Sequence, residues 1–230
     1  MKTSVIQLLD SAQSQMSGYV ALLGYRYSNL CVKAAPEALL CVFVDLDGDK
    51  YPIEKVAQAR NPDDREDQFE IYPNSQDLLK PLVKAVHDIH PEFKIELKDI
   101  DGGDEEKFIL ATMPEVDDPR YKILTEAVGV LADVCDSQLK EVFNKTAAQI
   151  ALKLVGAPED EINEAKDALQ DINDQADKIA KDIRGNKEKE IEEAHDAYKV
   201  RQEEKKADAE KKIQEAKAGT EMKMTAPGDE

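Results

Sequence analysis

Apolar residues recur at alternating steps of three and four along three separate stretches, and this spacing predicts three long helices. Val5, Leu9, Ala12, Met16, Tyr19, Leu23, Tyr27 and Leu30 mark the first, over residues 3–30, with Lys2, Gln7, Ser11, Ser14 and Ser28 on the opposite face. Gly18 and Gly24 weigh against its continuity, each at about 1 kcal/mol relative to alanine. The second helix starts after Asp118-Pro119 and carries Leu124, Val128, Leu131, Cys135, Leu139, Val142 and Ile150, with a wider step across Thr146. The third follows Gly156-Ala157-Pro158-Glu159 and carries Ile162, Ala165, Leu169, Ile172, Ala176, Ile179 and Ile183. Such narrow seams belong to helices packed nearly parallel or antiparallel. Gly156 and Pro158 punctuate a helical hairpin, whose two seams need a third partner. The N-terminal helix supplies it.

Between the first and second helices the period changes. Leu39–Leu46 is a short β-prone run that ends in the turn signal Asp47-Gly48-Asp49, and Tyr51-Pro52-Ile53 opens another extended piece. Asp67–Tyr72 alternates as a strand. Asp77–His90 reads as an amphipathic helix on Leu78, Leu79, Leu82, Val83, Val86 and Ile89, with Pro81 acceptable only in its first turn. Phe93–Leu97 and Lys107–Ala111 alternate as two strands around the turn Asp101–Asp104. The expected fold is therefore α+β: a long three-helix bundle with an inserted small β/α/β domain. The expected division is 1–32 plus 114–194 for the discontinuous bundle, 33–113 for the insert, and 195–230 for a charged helical extension. That extension should fray before Gly219 and end disordered from Thr225 to Glu230. The chain crosses between the two parts twice, at Val32-Lys33-Ala34 and at Met113-Pro114-Glu115, and two such crossings form a hinge pair.

Composition narrows the chemistry. Charged residues make up 35% of the 230 residues and the net charge is −18, a surface that repels phosphate backbones in general. Cys31, Cys41 and Cys135 lack metal-ligand spacing and read as small buried hydrophobes in a reducing compartment. No stretch has the length of a membrane span, and the N-terminal apolar run is too short and polar for a signal peptide. A soluble cytoplasmic protein is expected. His87 and His90 lack further ligands at metal spacing and read as surface-helix residues. Asp45, Asp47 and Asp49 do not form a calcium loop, because Val56 occupies the twelfth position, and Asp99–Glu106 fails likewise at Leu110. With no phosphate cradle and no nucleophile motif, the sequence predicts no enzyme, no catalytic residue, no metal and no cofactor.

The order of elements resembles the ribosome recycling factor family, in which a three-helix bundle is interrupted after its first helix by a small β/α/β domain. Leu30-Cys31-Val32-Lys33-Ala34-Ala35-Pro36 falls where that family commonly reads Arg-Thr-Gly-Arg-Ala-x-Pro. Gly48 followed by Tyr51-Pro52-Ile53-Glu54-Lys55-Val56-Ala57 is similar to the family's glycine and Pro-Leu-x-x-Val-Ala. Thr112–Asp118 matches its second crossing, and Ala165–Gln170 through Lys187–Glu190 resembles its last helix. The resemblance covers about Met1 to Ala194. It implies a non-catalytic factor whose partners are the large ribosomal subunit and elongation factor G.

The departures from that pattern carry a second expectation. Both usual arginines of the first crossing are absent, leaving Lys33, and the arginine-rich run of the long helix is replaced by Leu139–Lys145. Lysine does not reproduce the planar fork of arginine toward phosphate. The rRNA-contact candidates are Lys33, Lys140, Asn144, Lys145 and Lys153, with Phe143 either core or a protein contact. The alternative is an acidic paralogue of the same fold that has lost recycling and acts as a protein-interaction module. Self-association through the Glu/Lys tail is the third option.

Overall fold

The computed structural model describes residues 2–34, 36–62, 65, 67–100 and 106–224. Three helices form the long part. Helix α1 (Thr3–Ser28) packs against α4 (Asp118–Lys153) and α5 (Glu159–Met224). The seams meet as the spacing requires: Val5, Leu9, Ala12, Met16, Val20, Leu23 and Tyr27 are buried against Leu124, Val128, Cys135, Leu139, Val142, Ile150, Ala165, Leu169 and Ala176. The wide step in the second seam is closed by Thr146, which is itself buried. Ile179 departs from expectation and is 52% exposed. A straight helix drifts by about 20° against each strict seven-residue repeat, so the seam moves onto Ala180, Ile183, Lys187 and Ile191 and leaves Ile179 at its margin.

Helix termini follow their local chemistry. Asp117 caps α4 by accepting from the Arg120 backbone N–H at 2.9 Å, with Pro119 in the first turn. Gly156 has φ +77°, the left-handed turn that closes α4 and aims the chain back into α5. Helix α5 then continues without a break to Met224, past Gly219, the point before which fraying was expected. Its sequence holds no proline stop, and Glu/Lys spacing sustains an exposed helix. Thr225–Glu230, expected to be disordered, lies outside the described residues.

The insert has a core of its own, with Val42, Val44, Phe69, Ile71, Leu82, Val86, Ile109 and Ala111 at its centre. Strands β1 (Phe43–Leu46) and β2 (Asp49–Pro52) form a hairpin through Asp47-Gly48, both at positive φ. A two-residue turn of this hand matches strand twist. Asp45 Oδ1 accepts from the Gly48 N–H at 3.1 Å, so the acidic cluster there serves the turn. After a helical turn, α2 (Ile53–Val56), an antiparallel sheet runs in the order β3 (Ala57–Arg60), β4 (Gln68–Pro73), β6 (Lys107–Thr112), β5 (Lys94–Asp99). Helix α3 (Leu79–Ile89) lies against it, and Pro81 sits in its first turn.

Two readings of the insert need correction. Leu39–Val42 is not strand: Pro36–Leu39 is a 3₁₀ turn and Val42 N–H returns to Leu39 O at 3.0 Å. Leu39 and Val42 are apolar because they plug the core. His90 is not a surface residue. It is 1% exposed, its Nε2 lies 2.7 Å from the Ala38 carbonyl, and its ring stacks on Phe93 at 4.5 Å. It ties the 3₁₀ turn to the end of α3. Ile53, read as part of an extended piece, instead opens α2, a single turn too short to show a helical period although Ile53 and Val56 are both buried; strand β3 carries no large apolar residue and was not visible in the pattern.

Candidate functional site

The two chain crossings lie side by side. On the first, Cys31 and Ala34 are buried with the insert core, while Val32 packs against the bundle and Lys33 is exposed between them. On the second, Met113 is buried in the insert and Val116 in the bundle, and Pro114 and Glu115 are the change-over. Each crossing therefore passes from one core to the other within a few residues.

Arg120 joins them. From the first turn of α4 its Nη1 donates to Pro114 O at 2.6 Å and its Nη2 to Cys31 O at 2.7 Å. One planar guanidinium thus spans both crossings, a geometry suited to arginine's fixed fork. Burial pulls the Arg120 pKa down from its ordinary value, and Glu92 opposes that. The neighbouring Cys31 thiol is pushed up to about 12, first by burial, with Lys187 and Arg120 pulling the other way. Asn61 Nδ2 donates to Ala34 O and fixes the first crossing to the insert.

Helix α5 reaches the second crossing. His195 is buried, its Nε2 lies 2.8 Å from Asp118 Oδ1, and its ring stacks on Tyr121 at 4.2 Å. One helical stretch further, Arg201 pairs with Glu115 at 3.3 Å. Beside the first crossing, a cleft of about 340 Å³ is lined by Tyr27, Cys31, Lys33, Lys187 and Glu190. Lys187, nearly buried, is held by Glu190 at 2.9 Å.

The cations selected from the sequence do not form one patch. Lys33 is exposed on the first crossing. Lys140 is exposed but held by Asp136 at 2.5 Å, an interaction that raises its pKa. Asn144, Lys145 and Lys153 are exposed farther along α4. Lys140 and Lys145, five residues apart, point about 140° away from each other around the helix. Phe143 packs partly buried against the bundle core. On α5, Lys181, Arg184 and Lys189 are likewise engaged by Asp177, Glu188 and Glu193. Among the described residues no group of three or more His, Cys, Asp or Glu side chains is placed to hold a metal. No helix of the described residues is long and apolar enough to cross a membrane.

Sequence reasoning missed Arg120, His195 and Arg201. The signal for His195 was present, since it continues the seam four residues after Ile191. Arg120 gave a weaker one: a cation in the first turn of a helix opposes the macrodipole and needs another reason to be there.

These features define an α+β protein of one class: a long helical bundle bearing a small sheet domain on two adjacent crossings. The chain belongs to the ribosome recycling factor family, whose sequence pattern matches residues 27–192. It is 26% identical over 169 residues to the ribosome-recycling factor of Flavobacterium psychrophilum, covering 73% of this chain and 86% of that one. Its fold is similar to a solution structure of the ribosome recycling factor, with TM-score 0.69 and 19% identity, covering 84% of this chain and all of the other. It is also similar to the T. thermophilus ribosome recycling factor in a structure with E. coli elongation factor G and the E. coli post-termination complex. That likeness has TM-score 0.54 and 22% identity over 81% of this chain and 98% of the other.

Proposed function

We propose that the protein recycles ribosomes in the cytoplasm as a non-catalytic factor. The helical bundle lies on the large subunit after termination, and the insert swings at Val32–Ala34 and Met113–Glu115 while elongation factor G drives the subunits apart. The protein couples a partner's GTP hydrolysis to its own domain motion and supplies no reacting group. The observation that carries this reading is the family match, whose span, residues 27–192, takes in both crossings and the whole insert. A relative bound with elongation factor G to the post-termination complex supports the same partners.

A second reading has its own observation. Several cations on the long helices are neutralised by acids on the same helix. Meanwhile Ile123, Val130 and Val134 stand exposed on the outer face of α4. That surface suits a protein partner better than a phosphate backbone, as an acidic paralogue that no longer recycles would require.

Cosedimentation with purified large ribosomal subunits across a salt series separates the two. Recycling predicts binding that weakens steeply as salt rises, because counterions are released where lysines meet phosphates. Absence of binding at low salt removes the ribosomal reading. Subunit splitting in the presence of elongation factor G and GTP then tests the activity itself, and sedimentation of the protein alone tests self-association through α5.

A further inference from the structure

The sheet of the insert stops at β5, whose outer edge pairs with no other strand among the described residues. The phase of its ladder follows from one bond just beyond it, Ile100 N–H to Glu106 O at 2.9 Å. Opposed residues in an antiparallel pair alternate between exchanging backbone bonds and not. Lys94, Glu96 and Lys98, opposite Thr112, Leu110 and Phe108, therefore turn their backbone groups toward β6. Ile95, Leu97 and Asp99 turn theirs to the open edge. On the same two positions, the side chains of Ile95 and Leu97 line a groove of about 510 Å³ between β5 and α3, with Val83 and Phe93. Leu97 is 51% exposed there.

The groove has a cationic border in a chain of net charge −18. Lys80, Lys84 and His87 run along its α3 side, and no ion pair engages Lys80 or Lys84 among the described residues. On the other face of the sheet Lys94 and Lys98 both hold Glu96, at 2.5 and 2.9 Å. Around the edge stand Lys80, Lys84, Lys94 and Lys98 against two acids, Glu96, which holds two of these lysines, and Asp99, which pairs with Lys107 at 3.5 Å.

We propose that the β5 edge and this groove dock an extended acidic segment of a partner protein, which adds to the sheet as its next strand. Backbone groups of the segment pair with Ile95, Leu97 and Asp99. Alternate side chains, apolar, enter the groove, and the carboxylates between them lie on the opposite face beside Lys94 and Lys98, while Lys80 and Lys84 along the groove add to the cationic field that draws the segment in. Main-chain pairing supplies affinity and the alternating side chains supply selection. The six residues of β5 offer about 20 Å of edge. A helix docked there would leave the outward backbone groups unpaired. A second copy of this chain is disfavoured because two molecules of net charge −18 repel one another. The proposal stands on the insert alone and does not rest on ribosome binding.

The test is an NMR titration of the ¹⁵N-labelled full chain with an acetylated, amidated Asp-Val-Glu-Val-Asp-Val-Glu peptide, with Lys-Val-Lys-Val-Lys-Val-Lys as control. The expected result is saturable shifts at Ile95, Leu97, Asp99 and the facing side of α3, with slowed solvent exchange of the outward amides. The exposed double variant K80E/K84E should weaken binding by about tenfold and leave the free spectrum folded. Three results overturn the proposal: no shifts at millimolar peptide, equal shifts with the basic control, or shifts spread over the bundle. Concentration-dependent shifts of the same amides without peptide also overturn it, since the edge would then pair with a second copy.

Discussion

Arg120 donates to the carbonyl of Cys31 at 2.7 Å although the two are 89 positions apart in the chain. The bond matters because Cys31 and Arg120 stand on either side of the inserted domain. With its other arm on Pro114 O at 2.6 Å, the guanidinium holds the outgoing and the returning strand of chain together. A rotation of the insert, as proposed above, would have to lengthen or exchange these bonds.

Arg120→Ala should therefore destabilise the fold by about 2 kcal/mol, the range expected when charged hydrogen bonds to buried carbonyls are lost. It should also widen the distribution of bundle-to-insert distances. Denaturant unfolding reads the first effect, and paired spin labels on α4 and β2 read the second. Arg120→Lys keeps the charge but cannot reach both carbonyls at once, so it should restore the melting temperature in part and leave the distances broad.

The Cys31 thiol gives a pH signature for the same region. Its folded pKa, pushed up to about 12 by burial, lies above that of an exposed thiol at about 8.5. Between those values the unfolded chain has released a proton that the folded chain retains. The contribution is fully present below the unfolded value and is lost as pH rises toward the folded one. Urea unfolding of the native protein from pH 8 to 11 should show a fall in stability that Cys31→Ala partly removes, at most about 1.4 kcal/mol per pH unit. Alkylation of Cys31 at pH 8 should be slow, and faster by about tenfold in Arg120→Ala if the crossings open more often.

The end of α5 is divided into a part that packs and a part that does not. His195 stacks on Tyr121, and Arg201 meets Glu115; after Gln202 the burial pattern shows only exposed positions to Ile213. Truncation after Gln202 should leave the melting temperature of the remainder unchanged. Truncation after Ala194 should lower stability by about 1–3 kcal/mol, and His195→Ala should reproduce part of that loss without shortening the helix. Differential scanning calorimetry of the three proteins decides it, and equal losses for both truncations would contradict the assignment.

The long helices were legible because their cores are built from apolar residues at regular spacing: Leu9, Met16, Val128 and Leu169 lie where a 3.6-residue period puts them. Local spacing could not reveal what depends on distant backbone. Arg120 is selected by carbonyls at Cys31 and Pro114, and nothing near it in sequence announces them. His195 stands at the seam position four residues after Ile191, but as a polar residue within a Glu/Lys run it did not stand out until Tyr121 and Asp118 were seen beside it. Strand β3 was hidden by its small side chains: Ala57 and Ala59 show little apolar surface, and the strand is held to β4 by its backbone at Gln58, opposite Tyr72, and Arg60, opposite Glu70. Lysine positions were readable, but their availability was not: Asp136 lies one helical turn before Lys140 and takes up its charge.

That last relation makes the lysines separable by experiment. Lys140 already has a carboxylate at 2.5 Å, so its contact with a phosphate would require breaking that pair, and an exposed pair of this kind contributes little stability by itself. Lys33, Lys145 and Lys153 are exposed without such a partner among the described residues. If the bundle binds the large subunit through phosphate contacts, Lys145→Ala should weaken cosedimentation and flatten the salt dependence by about one phosphate contact. Lys140→Ala should change both less, and Asp136→Ala, which releases the Lys140 ammonium, should strengthen binding at low salt. The opposite order, with Lys140 dominant and Lys145 silent, would place the contact on the α4 side that faces Asp136. Insensitivity to all three would leave the exposed Ile123, Val130 and Val134 as the surface to test next, by Val130→Glu against candidate protein partners.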